Sequence, residues 1–242
     1  RQVGSTIKPY LYALAMEIPI RLNRLEEIDS KMNEAYKQLR TNVIFSGVNM
    51  KAIAVTSCIE GEGKSEVSFN LCRSLAEAGN KVVYVDADIR KSVAVSRYAP
   101  DKTVNGLSHY LAGREKLDNI VCQTNIHNLY MVFAGVCVPN SSELLGSARF
   151  PAMLSGLKKV FDYIIIDCPP LGMVIDAAVI AQYADGAIMV IENNKISYKV
   201  AQKVKAQLSK SGCKILGAVL NKVSDDRKGY YGQYSEYYGR AE

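Results

Sequence analysis

Six short apolar runs recur along the chain and are separated by longer amphipathic stretches. The runs cover residues 51–56, 81–85, 129–133, 163–166, 187–191 and 215–220. Each run is nearly continuous rather than alternating, which is typical of strands that are buried on both faces of a parallel sheet. We therefore expect an α/β fold of three layers, in which helices flank a mostly parallel central sheet.

The stretches between the runs carry helical patterns. Met32, Tyr36, Leu39 and Val43 lie three and four positions apart, which predicts a helix from Asp29 or Ser30 to about Phe45. A second helix is predicted to follow the first run and to end at Ala78, where a Gly-Asn pair provides a C-cap. Further helices are predicted at residues 149–160, 175–182 and 198–211.

The two ends differ from the middle of the chain. Residues 1–28 have no clean periodicity and contain Pro9 and Pro19, so we treat them as an N-terminal arm. Residues 29–223 hold the predicted strands and helices and form one predicted domain. Residues 224–242 lose the apolar pattern and are rich in glycine, charge and tyrosine, and we expect this tail to be mobile.

A glycine-rich loop follows the first apolar run. Residues 57–65 read SCIEGEGKS, close to the phosphate-binding pattern GxxxxGK[ST] between a strand and a helix. Backbone N–H groups and the helix dipole attract a phosphate chain there. Lys64 would reach the outer phosphates and Ser65 would hold magnesium. Cys58 departs from the pattern, because it occupies the first glycine position, and a glycine-rich turn without a ligand is the alternative.

Three aspartates end two of the apolar runs. Asp86 and Asp88 follow the second run at positions i and i+2, so they point the same way from an extended segment. Asp167 ends the fourth run, as the second magnesium-binding element of P-loop proteins does. Neighbouring carboxylates repel each other unless a cation such as Mg²⁺ joins them, and one of them could accept a proton from a hydroxyl. The alternative is a polar strand terminus that caps the next helix.

Composition narrows the function classes. The 30 basic and 24 acidic residues give a net charge of +6 without any basic block, so nucleic acid is not indicated. Six cysteines without a CxxC pair, and only two histidines, argue against a zinc site and for free thiols in a reducing compartment. No apolar run approaches the roughly 20 residues that span a bilayer, and no signal peptide is recognised.

Together these motifs resemble those of the bacterial tyrosine kinases, or BY-kinases, which control capsule and exopolysaccharide synthesis. The modified Walker A loop is SCIEGEGKS (57–65), the DxDxR motif is VYVDADIR (83–90), and the Walker B motif is IIIDCPP (164–170). The resemblance covers roughly residues 34–223 and includes GLSHYLAG (106–113), PNSSELL (139–145) and LNKV (220–223).

This resemblance implies an ATP- and Mg²⁺-dependent protein-tyrosine kinase with the P-loop NTPase fold. The implied catalytic residues are Lys64, Asp86, Asp88, Arg90 and Asp167, and the implied metal-binding residues are Ser65, Asp86, Asp88 and Asp167. The implied nucleotide-binding residues are Glu60, Gly61, Glu62, Gly63, Lys64, Ser65, Glu66 and Asn221.

The family implies individual roles for several of these side chains. Asp86 would be the catalytic base and a metal-side carboxylate, Asp88 would organise magnesium, and Asp167 would be the Walker B acid. Arg90 would position phosphates or neighbouring subunits of a ring. Asn221 would read the adenine, although an asparagine after a strand is also a common turn residue.

The predicted first helix carries the family's ring-forming pattern ExxRxxR in altered form. Glu34, Lys37 and Arg40 occupy its three positions, and lysine in the middle loses the bidentate fork of arginine. An ordinary solvated helix face is the alternative. The resemblance further implies a ring-like homo-oligomer, a transmembrane polysaccharide co-polymerase that activates the kinase, a cognate tyrosine phosphatase, and a cytoplasmic location at the inner face of the membrane.

Tyrosines crowd the C-terminal tail. Five of the fifteen tyrosines lie there, namely Tyr230, Tyr231, Tyr234, Tyr237 and Tyr238. A tail that stacks on nucleic acid would carry Arg and Lys between the rings, but only Gly, Gln, Ser and Glu occur there. We therefore interpret the cluster as phosphoacceptors, as in the family, which are phosphorylated in trans by a neighbouring subunit.

The main alternative is a ParA/MinD-type ATPase switch of the same fold. That group carries a signature lysine five positions before the Walker lysine, where this chain has Ile59. The missing cation and the tyrosine tail argue against this mechanism. A non-catalytic scaffold is a third class, and the intact set of Lys64, Ser65 and the three aspartates argues against it.

Overall fold

A computed structural model describes residues 18–223 of the chain. Eight strands of these residues form a single sheet with the order β1-β4-β5-β3-β6-β2-β7-β8. The strands are β1 (Ile18–Pro19), β2 (Ala52–Ser57), β3 (Val82–Asp86), β4 (Cys122–Gln123), β5 (Leu129–Val132), β6 (Tyr163–Asp167), β7 (Gly186–Glu192) and β8 (Ile215–Asn221). Only the pair β4/β5 is antiparallel, and every other neighbouring pair in this sheet is parallel.

Helices connect the strands across both faces of the sheet. They are α1 (Ser30–Phe45), α2 (Lys64–Glu77), α3 (Ala94–Tyr98), α4 (Leu107–Leu111), α5 (Ser141–Leu145), α6 (Arg149–Leu157), α7 (Asp176–Ala181) and α8 (Tyr198–Ser209). A short 3-10 turn at Leu117–Asn119 precedes β4. All parallel neighbours along the central strands are therefore joined by crossovers, as parallel pairing requires.

The sheet separates two hydrophobic cores. One face packs α1, α2 and α3 against alternate strand residues such as Ile53, Val55 and Tyr84. The other face packs α4 to α8 against the intervening residues such as Ala54 and Val85. Because successive strand residues point to opposite faces, a single apolar run contributes side chains to both cores. The predicted three-layer α/β fold is confirmed.

Most element boundaries follow the sequence pattern closely. Helix α1 begins at Ser30, where the Asp29 side chain accepts a 2.7 Å hydrogen bond from the Met32 N–H as the N-cap. The predicted helices at 149–160, 175–182 and 198–211 are each shorter in the structure, with ends within three residues of the predicted bounds. The elements that were not predicted are all short, namely β1, β4, α3, α4, α5 and the 3-10 turn.

Residues 18–28, which the sequence assigns to an N-terminal arm, contact the domain directly. Strand β1 pairs with β4, and Ile20 N–H donates to the Gln123 carbonyl at 2.9 Å. Ile20 and Leu22 are 5% and 2% exposed and lie in the core beneath α1 and α2. The described end of the arm therefore contributes both an edge strand and apolar side chains to the core.

Replacement of Leu22 by alanine is expected to lower the free energy of unfolding by roughly 2–4 kcal/mol, because it removes a buried side chain and leaves a cavity. Val48→Ala is the control, since Val48 is fully exposed and its loss should change stability by less than about 0.5 kcal/mol. Urea denaturation followed by circular dichroism measures both. Equal stability of the two variants would mean that the segment is not part of the cooperative core.

Candidate functional site

The carboxyl ends of three adjacent strands define the candidate site. Strands β3, β6 and β2 are neighbours in the sheet, and Asp86 of β3 lies in register with Asp167 of β6. The loop after β2 turns directly into α2 at Lys64. The parallel topology thus brings the glycine-rich loop and both acidic motifs to one edge, where open α/β sheets bind their ligands.

Glycines shape the loop between β2 and α2. Gly61 and Gly63 have φ values of +79° and +87°, which side chains rarely adopt. A Cβ at Gly63 would also lie 2.2 Å from Nδ2 of Asn221, whose amide donates to the Glu62 carbonyl at 3.0 Å. Two independent constraints therefore require glycine at position 63.

Cys58 is compatible with the loop although it replaces the usual first glycine. It is fully buried and is not among the residues with positive φ, so its backbone does not require glycine. Its N–H and that of Ile59 donate to Oε2 of Glu62 at 2.6 and 2.8 Å. A Cβ at Gly172 would approach the Cys58 carbonyl to 2.1 Å, so glycine is needed on the neighbouring segment instead.

Glu62 stabilises the loop from inside. Its side chain is completely buried, and its second carboxylate oxygen accepts a 3.2 Å hydrogen bond from the Glu192 N–H. Two neighbouring acidic residues pair with cations instead: Glu60 of the loop with Lys91 at 3.0 Å, and Glu66 in the first turn of α2 with Arg97 at 3.8 Å. The backbone N–H groups of the loop, rather than these carboxylates, are thus the groups suited to a phosphate.

Lys64 is the cation at the centre of the acidic residues. Its Nζ lies 3.4 Å from Asp88 Oδ2, 3.4 Å from Asp167 Oδ1 and 3.3 Å from the Ser65 hydroxyl. Burial alone would lower the pKa of Lys64, but the carboxylates of Asp167, Asp88 and Asp86 outweigh it and raise the pKa above its ordinary value. Lys64 therefore stays protonated, as phosphate binding requires.

Asp86 is the most perturbed carboxyl of the site. It is 1% exposed, accepts a hydrogen bond from the Ser92 hydroxyl, and accepts one from the Asp88 N–H at 3.2 Å. Burial, followed by the charge of Asp167, raises the pKa of Asp86 to about 7. A carboxyl with a pKa near neutrality is suited to general-base catalysis.

Asp167 is held by a tyrosine that the sequence analysis did not select. The Tyr84 hydroxyl donates to Asp167 Oδ2 at 2.9 Å, and both side chains are buried. Burial and the nearby Asp167 raise the pKa of Tyr84 well above its ordinary value, so it remains a donor. The signal in the sequence was a tyrosine inside a buried strand, since its hydroxyl needs a partner there.

The donor set fits a magnesium ion bound together with a nucleotide. Three carboxyl groups, those of Asp86, Asp88 and Asp167, lie around the single ammonium group of Lys64. A further cation would therefore reduce their mutual repulsion. Their oxygens and the Ser65 hydroxyl are hard ligands of the kind magnesium prefers. Within residues 18–223 no three His, Cys, Asp or Glu side chains are grouped so that they could hold a metal ion by themselves.

Arg90 faces away from the carboxylates of its own motif. Its Nε donates to Asp176 Oδ2 at 2.8 Å and its Nη2 to Asp176 Oδ1 at 3.3 Å. Nη2 also donates to the Ser142 hydroxyl at 3.1 Å. The role predicted for Arg90, positioning phosphates or neighbouring subunits, stays a prediction, and in this structure its guanidinium is occupied by partners of the same chain.

The predicted oligomerisation residues lie on α1, away from the site. Glu34 and Lys37 are exposed and pair with each other at 3.4 Å. Arg40 instead donates to the Ser74 carbonyl on α2 at 2.8 Å and to its hydroxyl at 3.2 Å. The five predicted phosphoacceptors, Tyr230, Tyr231, Tyr234, Tyr237 and Tyr238, fall outside the described residues.

Two further lysines lie beside the phosphate loop without having been predicted. Lys222 Nζ donates to the Gly61 carbonyl at 2.7 Å, and both Lys222 and Lys195 pair with Glu192, at 3.1 and 2.7 Å.

Cys137 is the exposed cysteine in the described part of the chain, and the other five there are buried or half-buried free thiols. Among residues 18–223, no helix has the length and apolar character needed to cross a membrane.

Comparison with known proteins agrees with this geometry. Residues 50–216 match the family described as "AAA domain". The chain is 43% identical over 222 residues to "Tyrosine-protein kinase CpsD" of Streptococcus agalactiae, covering 89% of this chain and 96% of that protein. It is 41% identical over 222 residues to the protein of the same name from Streptococcus pneumoniae, covering 91% and 97%.

Solved structures give the same grouping. The kinase domain of Escherichia coli tyrosine kinase ETK matches with a TM-score of 0.77 and 27% identity over 86% of each chain. The septum site-determining protein MinD from Pyrococcus horikoshii, solved with Mg-ADP, matches with a TM-score of 0.63 and 29% identity over 72% of each chain. That neighbour of the same fold was solved with magnesium and nucleotide bound together.

The raised pKa of Asp86 makes the stability of the nucleotide-free protein depend on pH. The folded pKa is about 7, against about 3.9 when unfolded, so folding binds a proton in this window. The contribution of Asp86 is fully present below pH 4 and is lost as pH rises through 7. Asp86→Asn removes this loss, so above pH 7 the variant should be more stable than the parent by a few kcal/mol.

Urea denaturation from pH 5 to pH 8.5 in EDTA measures this effect as the stability difference between Asp86→Asn and parent. That difference should grow with pH and level off near pH 8. Parallel pH curves for the two proteins would contradict the assigned burial and charge environment of Asp86. Excess Mg²⁺ should reduce the difference, because the cation compensates the negative charge of the carboxylates.

Proposed function

The chain belongs to the bacterial protein-tyrosine kinases, and we propose that it transfers the γ-phosphoryl group of ATP to tyrosines in its own residues 230–238. The observation that carries this proposal is the buried Asp86 carboxyl beside Lys64, Asp88 and Asp167. Phosphate and magnesium binding account for the last three groups. Asp86, whose pKa is raised to about 7 by burial and by Asp167, adds a base for a hydroxyl acceptor.

We assign the remaining roles from the contacts around the loop. The N–H groups of residues 60–66 bind the phosphate chain, and Lys64 compensates its charge. Ser65, Asp88 and Asp167 hold magnesium, which neutralises the phosphate oxygens when bound. Asn221 contacts the adenine, and its position against Gly63 supports this role.

The transfer step follows from these positions. The tyrosine oxygen attacks the γ-phosphorus, and the bond from that phosphorus to the β,γ-bridging oxygen breaks, so that ADP leaves. The tyrosine proton passes to Asp86 as the new bond forms. Before the transfer, one oxygen of Asp86 accepts a hydrogen bond from the Ser92 hydroxyl. Lys64 stabilises charge on the leaving side throughout.

An ATPase switch of the MinD kind is the second candidate. Its fold neighbour supports the nucleotide site but not the switch, since Ile59 provides no cation to a partner subunit. Ile59 is instead tied by its N–H to Glu62 within the loop. Hydrolysis of ATP without phosphate transfer to the protein would favour this candidate.

The assembly and location are further parts of the proposal. We assign phosphorylation in trans within a ring-like homo-oligomer, with exposed Glu34 and Lys37 at the subunit contact. A transmembrane polysaccharide co-polymerase would activate the kinase at the cytoplasmic face of the membrane, and a tyrosine phosphatase would reverse the reaction. Each phosphotyrosine adds about −1.5 to −2 charges, so a filled tail would drive the ring apart and regulate capsule or exopolysaccharide synthesis.

Incubation with Mg·ATP should add phosphate to the parent protein but not to Lys64→Met, which lacks the central cation. The starting protein is treated with phosphatase, and intact mass spectrometry follows the reaction. We expect several phosphate-sized steps that peptide mapping assigns to Tyr230–Tyr238. Tyr→Phe replacement of all five tail tyrosines is the matched control and should abolish the steps while nucleotide binding persists.

Three other outcomes would argue against this function. ADP production without any gain in mass would favour the ATPase switch. Phosphate on tyrosines outside residues 230–238 would show a different acceptor. Absence of turnover, both alone and with the membrane activator added, would leave a scaffold as the explanation.

A further inference from the structure

Asp176 is a buried carboxylate at the start of α7 that none of the recognised motifs includes. It is 1% exposed, yet its pKa lies below the ordinary value. Burial opposes ionisation there, but hydrogen bonds from Arg90, Ser141 and Ser142 outweigh the burial. The side chain is therefore an ionised carboxylate, and hydrogen bonds from Arg90, Ser141 and Ser142 compensate its charge.

The partners of Asp176 saturate both of its oxygens. Oδ2 accepts from Arg90 Nε at 2.8 Å and from the Ser141 hydroxyl, and Oδ1 accepts from Arg90 Nη2 at 3.3 Å and from the Ser142 hydroxyl. Arg90 thus makes a bidentate contact, which is the strong and orientationally specific kind. The third guanidinium nitrogen, Nη1, lies 3.5 Å from the Pro139 carbonyl.

This cluster connects the two segments that carry the proposed magnesium ligands. Arg90 lies two residues after Asp88, and Asp176 lies nine residues after Asp167. The segment between Asp167 and Asp176 is itself fixed to β2, because Thr56 donates to the Pro169 carbonyl at 2.8 Å. The Arg90–Asp176 contact therefore closes a loop of covalent and hydrogen bonds around the site.

Further contacts keep the loop after β3 in register. The Lys91 N–H donates to Asp88 Oδ1 at 3.1 Å, so the Asp88 carboxylate is held by its own loop. The Val138 N–H donates to the Ile89 carbonyl at 3.1 Å, and the Cys137 thiol donates to the Arg90 carbonyl at 2.7 Å. Displacement of Arg90 would release a loop whose geometry sets where Asp88 points.

We propose that Asp176, together with Ser142, is a positioning residue that holds Arg90 and thereby fixes the separation of the Asp88 and Asp167 carboxylates for magnesium. The inference rests on the proposed assignment of these two aspartates to magnesium. It gives Arg90 an internal function in place of a contact with phosphate or a neighbouring subunit. Partners behind metal ligands commonly change metal affinity by about 10–100-fold when they are removed.

The experiment compares Asp176→Asn, Arg90→Gln, their double variant and Ser142→Ala in the full chain. Ser142→Ala removes hydrogen bonds without leaving a buried charge, so it remains informative if the charge variants unfold. Asp185→Asn is the matched control, because Asp185 is likewise paired with a basic side chain. It contacts Lys158 at 2.6 Å and accepts from two backbone N–H groups, but it lies at the opposite end of the sheet.

Two measurements are made on each protein. A fluorescent ATP analogue titrated with Mg²⁺ gives the half-saturating Mg²⁺ concentration. Hydrogen–deuterium exchange without metal or nucleotide gives the protection of residues 86–93. We expect the half-saturating Mg²⁺ concentration to rise about tenfold or more in both single charge variants. Exchange at residues 86–93 should also become faster, and the double variant should be no worse than either single variant.

Several results would overturn the inference. A direct role of Arg90 toward phosphate or a neighbour would make Arg90→Gln defective while Asp176→Asn keeps the Mg²⁺ requirement of the parent. An equal shift in Asp185→Asn would reduce the effect to general destabilisation. Additive effects in the double variant would show that the two residues act separately. If the parent itself shows no Mg²⁺-dependent binding, the proposed magnesium assignment fails, and not only the positioning role of Asp176.

Discussion

The burial of three carboxyl groups around the single ammonium group of Lys64 is the constraint on which the rest of the site depends. Removing one ionised side chain from water costs several kcal/mol unless partners compensate it. Asp167 obtains compensation from Lys64 and Tyr84, and Asp88 from Lys64 and its own loop. Asp86 is left with hydroxyl and N–H donors, so its pKa rises to about 7 through burial and the charge of Asp167. The magnesium ion proposed for this site would compensate the excess of carboxylates.

Much of the fold was predictable because its signals are local and repeated. Six apolar runs became the six longest strands. Five of them are buried almost throughout, so they need no alternation, whereas β8 at the sheet edge has only intermediate and exposed residues. The N-cap at Asp29 and the glycines at positions 61 and 63 were recognisable from single residues. The short strands β1 and β4 were not, because two paired residues leave no periodicity and their pairing is decided by contacts distant in sequence.

The site was predictable in its motifs but not in their supporting contacts. Lys64, Asp88 and Asp167 are brought together as their spacing and strand ends predicted. The sequence did not display that Glu62 is buried inside the loop, where it binds loop N–H groups, or that Arg90 meets Asp176 eighty-six positions away. Motifs identify residue types at fixed spacing, whereas the partner of a long side chain is set by tertiary packing that one sequence does not display.

A shared scaffold supports both ATPase switches and tyrosine kinases because the common part ends with phosphate and magnesium binding. What differs is the group that meets the second reactant. A switch needs a cation directed at its partner, and this chain has an isoleucine at that position, whose N–H only completes the loop. A kinase needs a base that can take the proton of the acceptor hydroxyl. A carboxyl that is buried beside another carboxyl meets this need, since the repulsion that makes it costly to ionise also makes it a better proton acceptor. In the proposed mechanism, the raised proton affinity of the buried Asp86 carboxyl is therefore what supplies the base for transfer to a hydroxyl.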